Sequence, residues 1–556
     1  MSTPSQQQPV HSARVAAKMA RDLDQPAFLS VVDDDLLAAH EDAATVLPLA
    51  GMPFAVKDNI DVAGLPTTAA NPRRSSRAAS DSYVVARLRQ AGAIPVGKTN
   101  LDQYATGLVG TRSPYGACHS TFSADHISGG SSSGSAIAVA TGVVPFALGT
   151  DTAGSGRVPA AFNALIGWKP TRGLVSTSGV VPACPSLDCV TTLTRDVGTA
   201  RLLAAAISRY DETDPWSRRA PSTAPDGVAA TMRTLAVPSG PIDLDPLQAR
   251  AWQAALVRAR ETFDVVEIDV EPFLEAGRLL YEGPWLAERF ASFGEALTDN
   301  GPNLDPVVRR IVLSGGSVTG AETFRGLARL AGLRRACAAT FAEADALLLP
   351  VTTGHPTLAE VAADPVGVNS RLGTYTNMAN LLDLCAVAVP SGQREDGLPF
   401  GVQLLAPAFA DGPLLDLAAR WTGEPTPLGS PSNGSVPLVV AGAHLSGLPL
   451  NHQLTSRGGH LLYRARTARA YRLFRLPGSP ERPALVRVDE DGSSFDVEVW
   501  SLPAQAVGEL LPLVREPLAL GHVRLADGAS LPGFVYAGPG GDLTDDLSHL
   551  RSWRHR

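Results

Sequence analysis

Along this chain, short apolar runs alternate with segments whose apolar residues recur every three or four positions, the two spacings of buried strands and amphipathic helices. Residues 81–91 (DSYVVARLRQA) place Tyr83, Val84, Leu88 and Ala91 near one helical face, and Gly92 stands where a helix stops. Residues 93–96 (AIPV) read as a strand, residues 136–140 (AIAVA) as a buried helix, and residues 346–350 (ALLLP) as a further strand. This alternation predicts an α/β fold with a mixed central sheet surrounded by helices. The pattern changes at PTPLGSPSNGSVP, residues 425–437, whose proline, glycine and serine predict a linker. Beyond it, alternating runs at residues 484–488 and 495–500, separated by turn residues, predict a smaller β-rich α+β domain. The expected organisation is a domain over residues 1–424, a linker over 425–437 and a second domain over 438–556, with no internal repeat.

Composition supports this picture and narrows the chemistry. With 556 residues, 44% of them hydrophobic and 18% charged, the chain has ample material for large packed cores. A net charge of -8 without a basic stripe gives no reason to expect nucleic acid or an anionic membrane as partner, so a small-molecule substrate is favoured. Five scattered cysteines (Cys118, Cys184, Cys189, Cys337 and Cys385) form no CxxC pair and read as buried free thiols in a reducing compartment. The N-terminal residues lack the apolar core of a signal peptide. The most apolar stretch, residues 136–148, is interrupted by Thr141, Gly142 and Pro145 and falls short of the roughly 20 residues of a membrane span. A cytoplasmic location is expected.

Three segments carry chemistry. In GMPFAVKDNI, starting at Gly51, Lys57 follows directly on an apolar run, where burial lowers a lysine's pKa towards that of a general base. In SGGSSSGS, starting at Ser128, small residues run straight into an apolar element, so their backbone is expected to pack closely at its start. In GTDTAGSGR, starting at Gly149, a strand ends in a small-residue turn able to present the Ser155 hydroxyl and several backbone N–H groups, the requirement for an oxyanion hole. The alternative for that turn is an ordinary one closed by an Asp151–Arg157 pair.

Together these segments resemble the amidase signature family, whose motif runs from a glycine/serine-rich stretch to a GTDxxGS turn, here with Ser131 and Ser155 24 residues apart and an upstream lysine in VKDNI. The resemblance covers residues 48–424, including ALLLPVTTGHP from Ala346 and LPFGVQLLAP from Leu398. It implies that Ser155 is the nucleophile, Ser131 a bridging serine held by a cis peptide and Lys57 the base. It also assigns oxyanion N–H groups to Thr152, Ala153, Gly154 and Ser155. A Ser-His-Asp triad is disfavoured, since no G-x-S-x-G elbow is present and only His119 and His126 lie near the serine motifs.

One competing motif is literal: GAIPVGKT, residues 92–99, satisfies the P-loop pattern. A helix precedes Gly92 and the interior reads as a strand, so nucleotide binding is expected to fail. LYEGPWLAER, from Leu280, is similar to the segment by which allophanate hydrolases hold substrate, which implies contacts from Tyr281 and Arg289. The planar guanidinium suits a carboxylate through two parallel hydrogen bonds. VVAGAHLSGLPLNHQLT, from Val439, is similar to the second domain of allophanate hydrolases, a γ-glutamylcyclotransferase-like fold associated with decarboxylation of N-carboxycarbamate. His452 is the preferred functional histidine there, with His444 as the alternative. No metal or other cofactor is implied, and a homodimer is kept as a candidate assembly. A different amidase of the same family, acting on a biuret-like or aliphatic amide or serving as a glutaminase subunit, is the alternative.

Overall fold

A computed structural model describes residues 11–33, 37, 48–220, 232–299, 301, 303–424, 435–526, 529–538 and 543–556. The N-terminal part holds β1 (Phe28–Val31), β2 (Pro53–Lys57), β3 (Ile94–Thr99), β4 (His119–Ser120), β5 (Ser123–Ile127), β6 (Phe146–Asp151), β7 (Ile166–Lys169), β8 (Cys189–Thr194), β9 (Thr234–Pro238), β10 (Asp264–Ile268), β11 (Ala346–Pro350), β12 (Leu384–Gln393) and β13 (Pro399–Pro407). All but the β4–β5 hairpin join one eleven-stranded sheet in the order β1-β3-β2-β6-β8-β7-β12-β13-β11-β9-β10. The sheet is mixed. β3, β2 and β6 run parallel to one another, whereas β8, β7, β12 and β13 are joined by antiparallel pairings.

β2 and β6 are buried along their whole length, their apolar leading residues as expected of strands covered on both faces, and their polar last residues, Lys57 and Thr150–Asp151, buried with them. Phe54 and Phe146 stack at 5.2 Å and fix their register. The carboxyl ends of these parallel neighbours therefore carry Lys57 and Asp151 to the same edge of the sheet.

The helix expected over residues 81–91 runs Tyr83–Gln90, with the Ser82 hydroxyl accepting from the Val85 N–H at its start. Its buried face is Val84, Val85 and Leu88; Tyr83 lies half-exposed beside it, its hydroxyl reaching the Tyr210 carbonyl at 3.3 Å. The buried helix expected from residue 136 begins three residues earlier, as Ser133–Ala140. Gly134 permits this, since a Cβ there would stand 2.2 Å from the Ala27 carbonyl oxygen.

The P-loop pattern dissolves into β3, which pairs with β1 and β2. Its Lys98 is buried against Asp58 at 3.1 Å and donates to the Pro66 carbonyl and the Thr67 hydroxyl. Strand pairing consumes the backbone N–H groups that a phosphate loop must leave free.

The C-terminal part holds β14 (Ser435–Val440), β15 (His460–Arg466), β16 (Tyr471–Leu476), β17 (Arg482–Arg487), β18 (Asp496–Pro503), β19 (Leu518–Arg524) and β20 (Ser530–Tyr536). Five form a sheet in the order β15-β18-β14-β20-β19, and β16 and β17 form a hairpin. They enclose a separate core that includes Leu454, Phe495, Val499, Trp500 and Trp553. The expected linker mostly falls outside the described residues, which resume at Ser435. Its last three residues, Ser435, Val436 and Pro437, already pair with β18. Proline fits because β20 meets β14 only at Val439, so Pro437 lacks no ladder donor on that side. All five cysteines are free and buried. No helix among the described residues is long and apolar enough to cross a membrane.

Candidate active site

At the end of β2, the Lys57 ammonium nitrogen lies 2.7 Å from Ser131 Oγ and 2.7 Å from Thr150 Oγ1. The side chain is fully buried. Burial lowers its pKa from 10.5 to about 7, although Asp102, Asp151 and Asp188 pull it partly back up. Half of the lysine is thus neutral near pH 7. Thr150, which also meets the Asn59 amide at 3.4 Å, is a contact the sequence did not single out, although it stands inside the GTD motif.

Ser131 follows a cis peptide bond from Gly130, as the resemblance implies. Gly130 has no room for a side chain, since a Cβ would lie 2.2 Å from Asp102 Oδ2 and 2.5 Å from the Gly110 nitrogen. Asp102 fastens this corner: its carboxylate accepts the N–H groups of Gly110 and Arg112 at 3.0 and 2.9 Å, and its own N–H donates to the Ser131 carbonyl at 3.2 Å. Burial holds the Asp102 carboxyl above its ordinary range.

Beyond β6 the chain turns through residues 152–156, and here the two readings of the sequence coexist. The Asp151–Arg157 pair is present at 2.9 Å, with both side chains wholly buried. Burial opposes the Asp151 charge, but Arg157 outweighs it and holds the carboxyl below its ordinary range. Arg157 also donates to Gln403 Oε1 and the Thr376 carbonyl, so it ties the turn to β13 and to residue 376. The Gly154 N–H donates to Asp151 Oδ1 at 2.8 Å. Of the four N–H groups that the resemblance assigns to an oxyanion, Gly154's thus donates to the turn's own carboxylate in this structure. Gly154 has φ +135°, and a Cβ there would meet Thr376 Oγ1 at 2.3 Å, so the turn depends on glycine. Ser155 is buried, and its hydroxyl donates to the Gly107 carbonyl at 3.4 Å.

Arg289 is brought to the same place by the helix Trp285–Phe293. It is buried, its Nη1 donates to Thr106 Oγ1 at 3.1 Å, and its guanidinium lies 5.8 Å from the Tyr281 ring. Thr106 precedes Gly107, whose carbonyl holds Ser155. The Arg289 Nε is buried with no hydrogen-bond partner among the described residues. Burial disfavours its charge, but Tyr281, Cys184, Asp188 and Glu288 more than offset this and hold the guanidinium above its ordinary pKa.

Two carboxylates lock this helix to the serine turn. Asp188 accepts from the Thr152 hydroxyl and from the N–H groups of Ala183 and Cys184, while Glu288 accepts from the Ser186 N–H and hydroxyl, both at 2.7 Å. Neither Thr106 nor Asp188 carries a sequence signal, because the contact that ties each to the site, Arg289 for Thr106 and Thr152 for Asp188, spans a long stretch of chain.

In the C-terminal part the two histidines differ. His452 opens the short helix His452–Thr455, is exposed, and meets the Pro449 carbonyl at 2.9 Å. His444 lines a small cavity of about 80 Å³, with its Nε2 3.0 Å from Gln453 Oε1 and its ring stacked 5.0 Å from Phe534. Burial lowers its pKa below the ordinary histidine value. Among the described residues, no group of three or more potential ligands is placed to hold a metal ion.

Comparison with known proteins agrees with this architecture. The amidase family model matches residues 20–415, and the model of the allophanate hydrolase C-terminal domain matches residues 436–556. The chain is 38% identical to an allophanate hydrolase of Kluyveromyces lactis of solved structure, with a TM-score of 0.71 over 98% of this chain and 96% of that one. It is 43% identical to the urea amidolyase of Lachancea kluyveri over 92% of this chain, yet spans only 30% of that relative's length. A glutamyl-tRNA(Gln) amidotransferase chain from Thermotoga maritima, 27% identical with a TM-score of 0.63, aligns with 75% of this chain and 92% of its own length. The fold and these matches make the protein an amidohydrolase. The chain belongs to the amidase family, with the allophanate hydrolase C-terminal domain following the amidase region.

Proposed function

We propose that the protein hydrolyses allophanate, with Ser155 as nucleophile, Ser131 as proton bridge and Lys57 as base. Arg289 carries the choice of substrate. A buried guanidinium whose Nε has no partner among the described residues, linked through Thr106 to the residue that holds Ser155, suits a small amide that ends in a carboxylate. Allophanate is a urea bearing one.

Neutral Lys57 takes a proton from Ser131, which takes one from Ser155 as that hydroxyl swings from the Gly107 carbonyl towards Ser131. Ser155 Oγ attacks the amide carbonyl, and backbone N–H groups of Thr152, Ala153 and Ser155 meet the oxyanion. The returned proton lets ammonia leave, and water releases N-carboxycarbamate by the reverse relay. The second domain then promotes decarboxylation, with His444 rather than His452 as its functional histidine because His444 is the one that faces the cavity. Five buried free thiols suit the cytoplasm.

The test is ammonia release from allophanate, biuret, malonamate and glutamine. Allophanate is expected to give the highest kcat/KM. Arg289→Lys should weaken it more than biuret, because lysine lacks the two-pronged grip on a carboxylate. Equal losses on both substrates would reopen the choice of another amidase activity.

A further inference from the structure

Hydrogen bonds close a ring around the Lys57 amine. Its Nζ meets Ser131 Oγ and Thr150 Oγ1, each at 2.7 Å. Ser132, the next residue along, returns from Ser131 to Thr150: its hydroxyl donates to the Thr150 carbonyl at 3.2 Å and accepts the Thr150 N–H at 3.3 Å. Gly149 makes room for that approach, since a Cβ there would stand 2.7 Å from Ser132 Oγ. A second tether comes from Asn59, two residues after the lysine, whose Nδ2 donates to Thr150 Oγ1 and to the Val181 carbonyl, both at 3.4 Å. The Val181 N–H donates in turn to the Asn59 carbonyl at 2.7 Å, which clamps the amide with its nitrogen towards Thr150. Thr150 and Asn59 are both buried, and Asn59 Oδ1 has no hydrogen-bond partner among the described residues. A buried amide that leaves its oxygen unpaired is held there by what its nitrogen does.

We infer that Thr150 is a positioning residue for the base: held by Asn59 and Ser132, its Oγ1 accepts one N–H of the neutral Lys57 amine and so leaves the amine's lone pair for Ser131. The inference rests on the Ser-Ser-Lys relay proposed above and adds a residue to it. A neutral amine carries a single lone pair and turns about its Cε–Nζ bond until its N–H groups are taken. Two hydroxyls stand at equal distance from it, but they are not equivalent. A proton drawn from Thr150 could not be replaced, because the Asn59 amide behind it does not ionise, whereas Ser131 is refilled by Ser155. Thr150 is therefore the acceptor and Ser131 the donor. Once the proton has reached Lys57, the ammonium donates to both oxygens, and a hydrogen bond made to the charged form favours that form.

The lysine itself can be read. The chain has four lysines, Lys18, Lys57, Lys98 and Lys169, so carbon-13 at Cε gives a spectrum in which Lys57 is the signal lost in Lys57→Met. In Ser155→Ala protein, where nothing turns over, Thr150→Val should move the Lys57 titration to lower pH by about half a unit or more, the scale of one lost hydrogen bond. With Ser155 in place, the same substitution should lower kcat on allophanate about tenfold to a hundredfold with little change in KM, and shift the acid limb of the pH profile the same way. Thr150→Ser keeps the oxygen and should return the titration to the parent's position and kcat to within about threefold. Asn59→Ala leaves the hydroxyl but unties it, and should move both readings in the same direction by less; it decides the matter where Thr150→Val does not fold. A loss of kcat with Lys57 titrating as in the parent would reduce Thr150 to packing, and parent-like kcat and titration would remove it from the chemistry altogether. If Lys57→Met still hydrolyses allophanate, the relay falls and the role of Thr150 with it, a result distinct from either.

Discussion

At the residue scale the decisive quantity is the charge on Lys57. Its pKa falls from 10.5 to about 7 because burial removes water from the ammonium. If the neutral amine is the base, kcat/KM should fall about tenfold for each pH step below that value. A flat profile to about pH 5.5 would remove Lys57 from the role. The same shift bears on stability, with a definite sign. Between pH 7 and 10.5 the unfolded chain binds the proton that the folded one has lost, so the lysine's penalty is greatest below about 7 and fades as pH rises. Lys57→Met should therefore abolish turnover while its melting temperature, relative to the parent, is most favourable at low pH and converges towards pH 10. Ser155→Ala should remove hydrolysis altogether and Ser131→Ala should cost several orders of magnitude, because members of one relay fail together. Lys57 was legible in the sequence as a lysine closing an apolar strand, but only the fold decides between burial and a stem that snorkels to solvent, and it buries the side chain fully. Its second contact, Thr150, needed the pairing of β2 with β6 to be seen.

At the element scale the serine turn is held by groups that do no chemistry. Asp151 collects the N–H groups of Gly154 and Gly156 and the Arg157 guanidinium, while Asp188 steadies the Thr152 side chain. Gly154→Ala would force the turn away from Thr376 and is expected to lower kcat by two to three orders of magnitude, on the scale of a lost oxyanion donor. Asp188→Ala should act more mildly and chiefly on kcat, because it frees the oxyanion turn without touching the nucleophile. A matching rise in KM alone would show that Asp188 serves the Arg289 helix instead. The strands and the helix Tyr83–Gln90 could be read from periodicity, since their buried faces follow simple spacing. Two features could not. The start of the helix Ser133–Ala140 is set by close approach to Ala27, and which turn N–H groups stay open for the proposed oxyanion contacts depends on which ones Asp151 takes. The P-loop pattern failed for a related reason: a motif of residue types says nothing about which backbone groups a neighbouring strand has already used.

At the scale of the whole molecule, the proposed function gives the chain two chemistries in sequence, and the residues of the second were the harder to read from sequence. The cavity beside His444 gathers residues from 441–453, 482–485, 510–518 and 534, so no local window announces it. The resemblance favours His452 over His444; in the fold His452 is exposed at the start of a one-turn helix, while His444 lines the cavity. The division of labour can be tested by ending the chain at Glu424. The eleven-stranded sheet is complete before that point, as are Lys57, Ser131, Ser155, Tyr281 and Arg289, and the C-terminal strands close around a core of their own. The shortened protein is expected to stay soluble, to melt in one cooperative transition and to release the first ammonia from allophanate at a rate within about threefold of the parent, a change of under 1 kcal/mol in barrier. N-carboxycarbamate should then persist in carbon-13 spectra for as long as it does in buffer alone. Adding residues 435–556 as a separate chain should restore its rapid loss if the intermediate diffuses between sites. If only the covalently joined protein clears it quickly, the intermediate is passed between domains at a high effective concentration. A shortened chain that is folded yet inert towards allophanate would mean that the second domain helps to build the first site, and the two-step division would have to be abandoned.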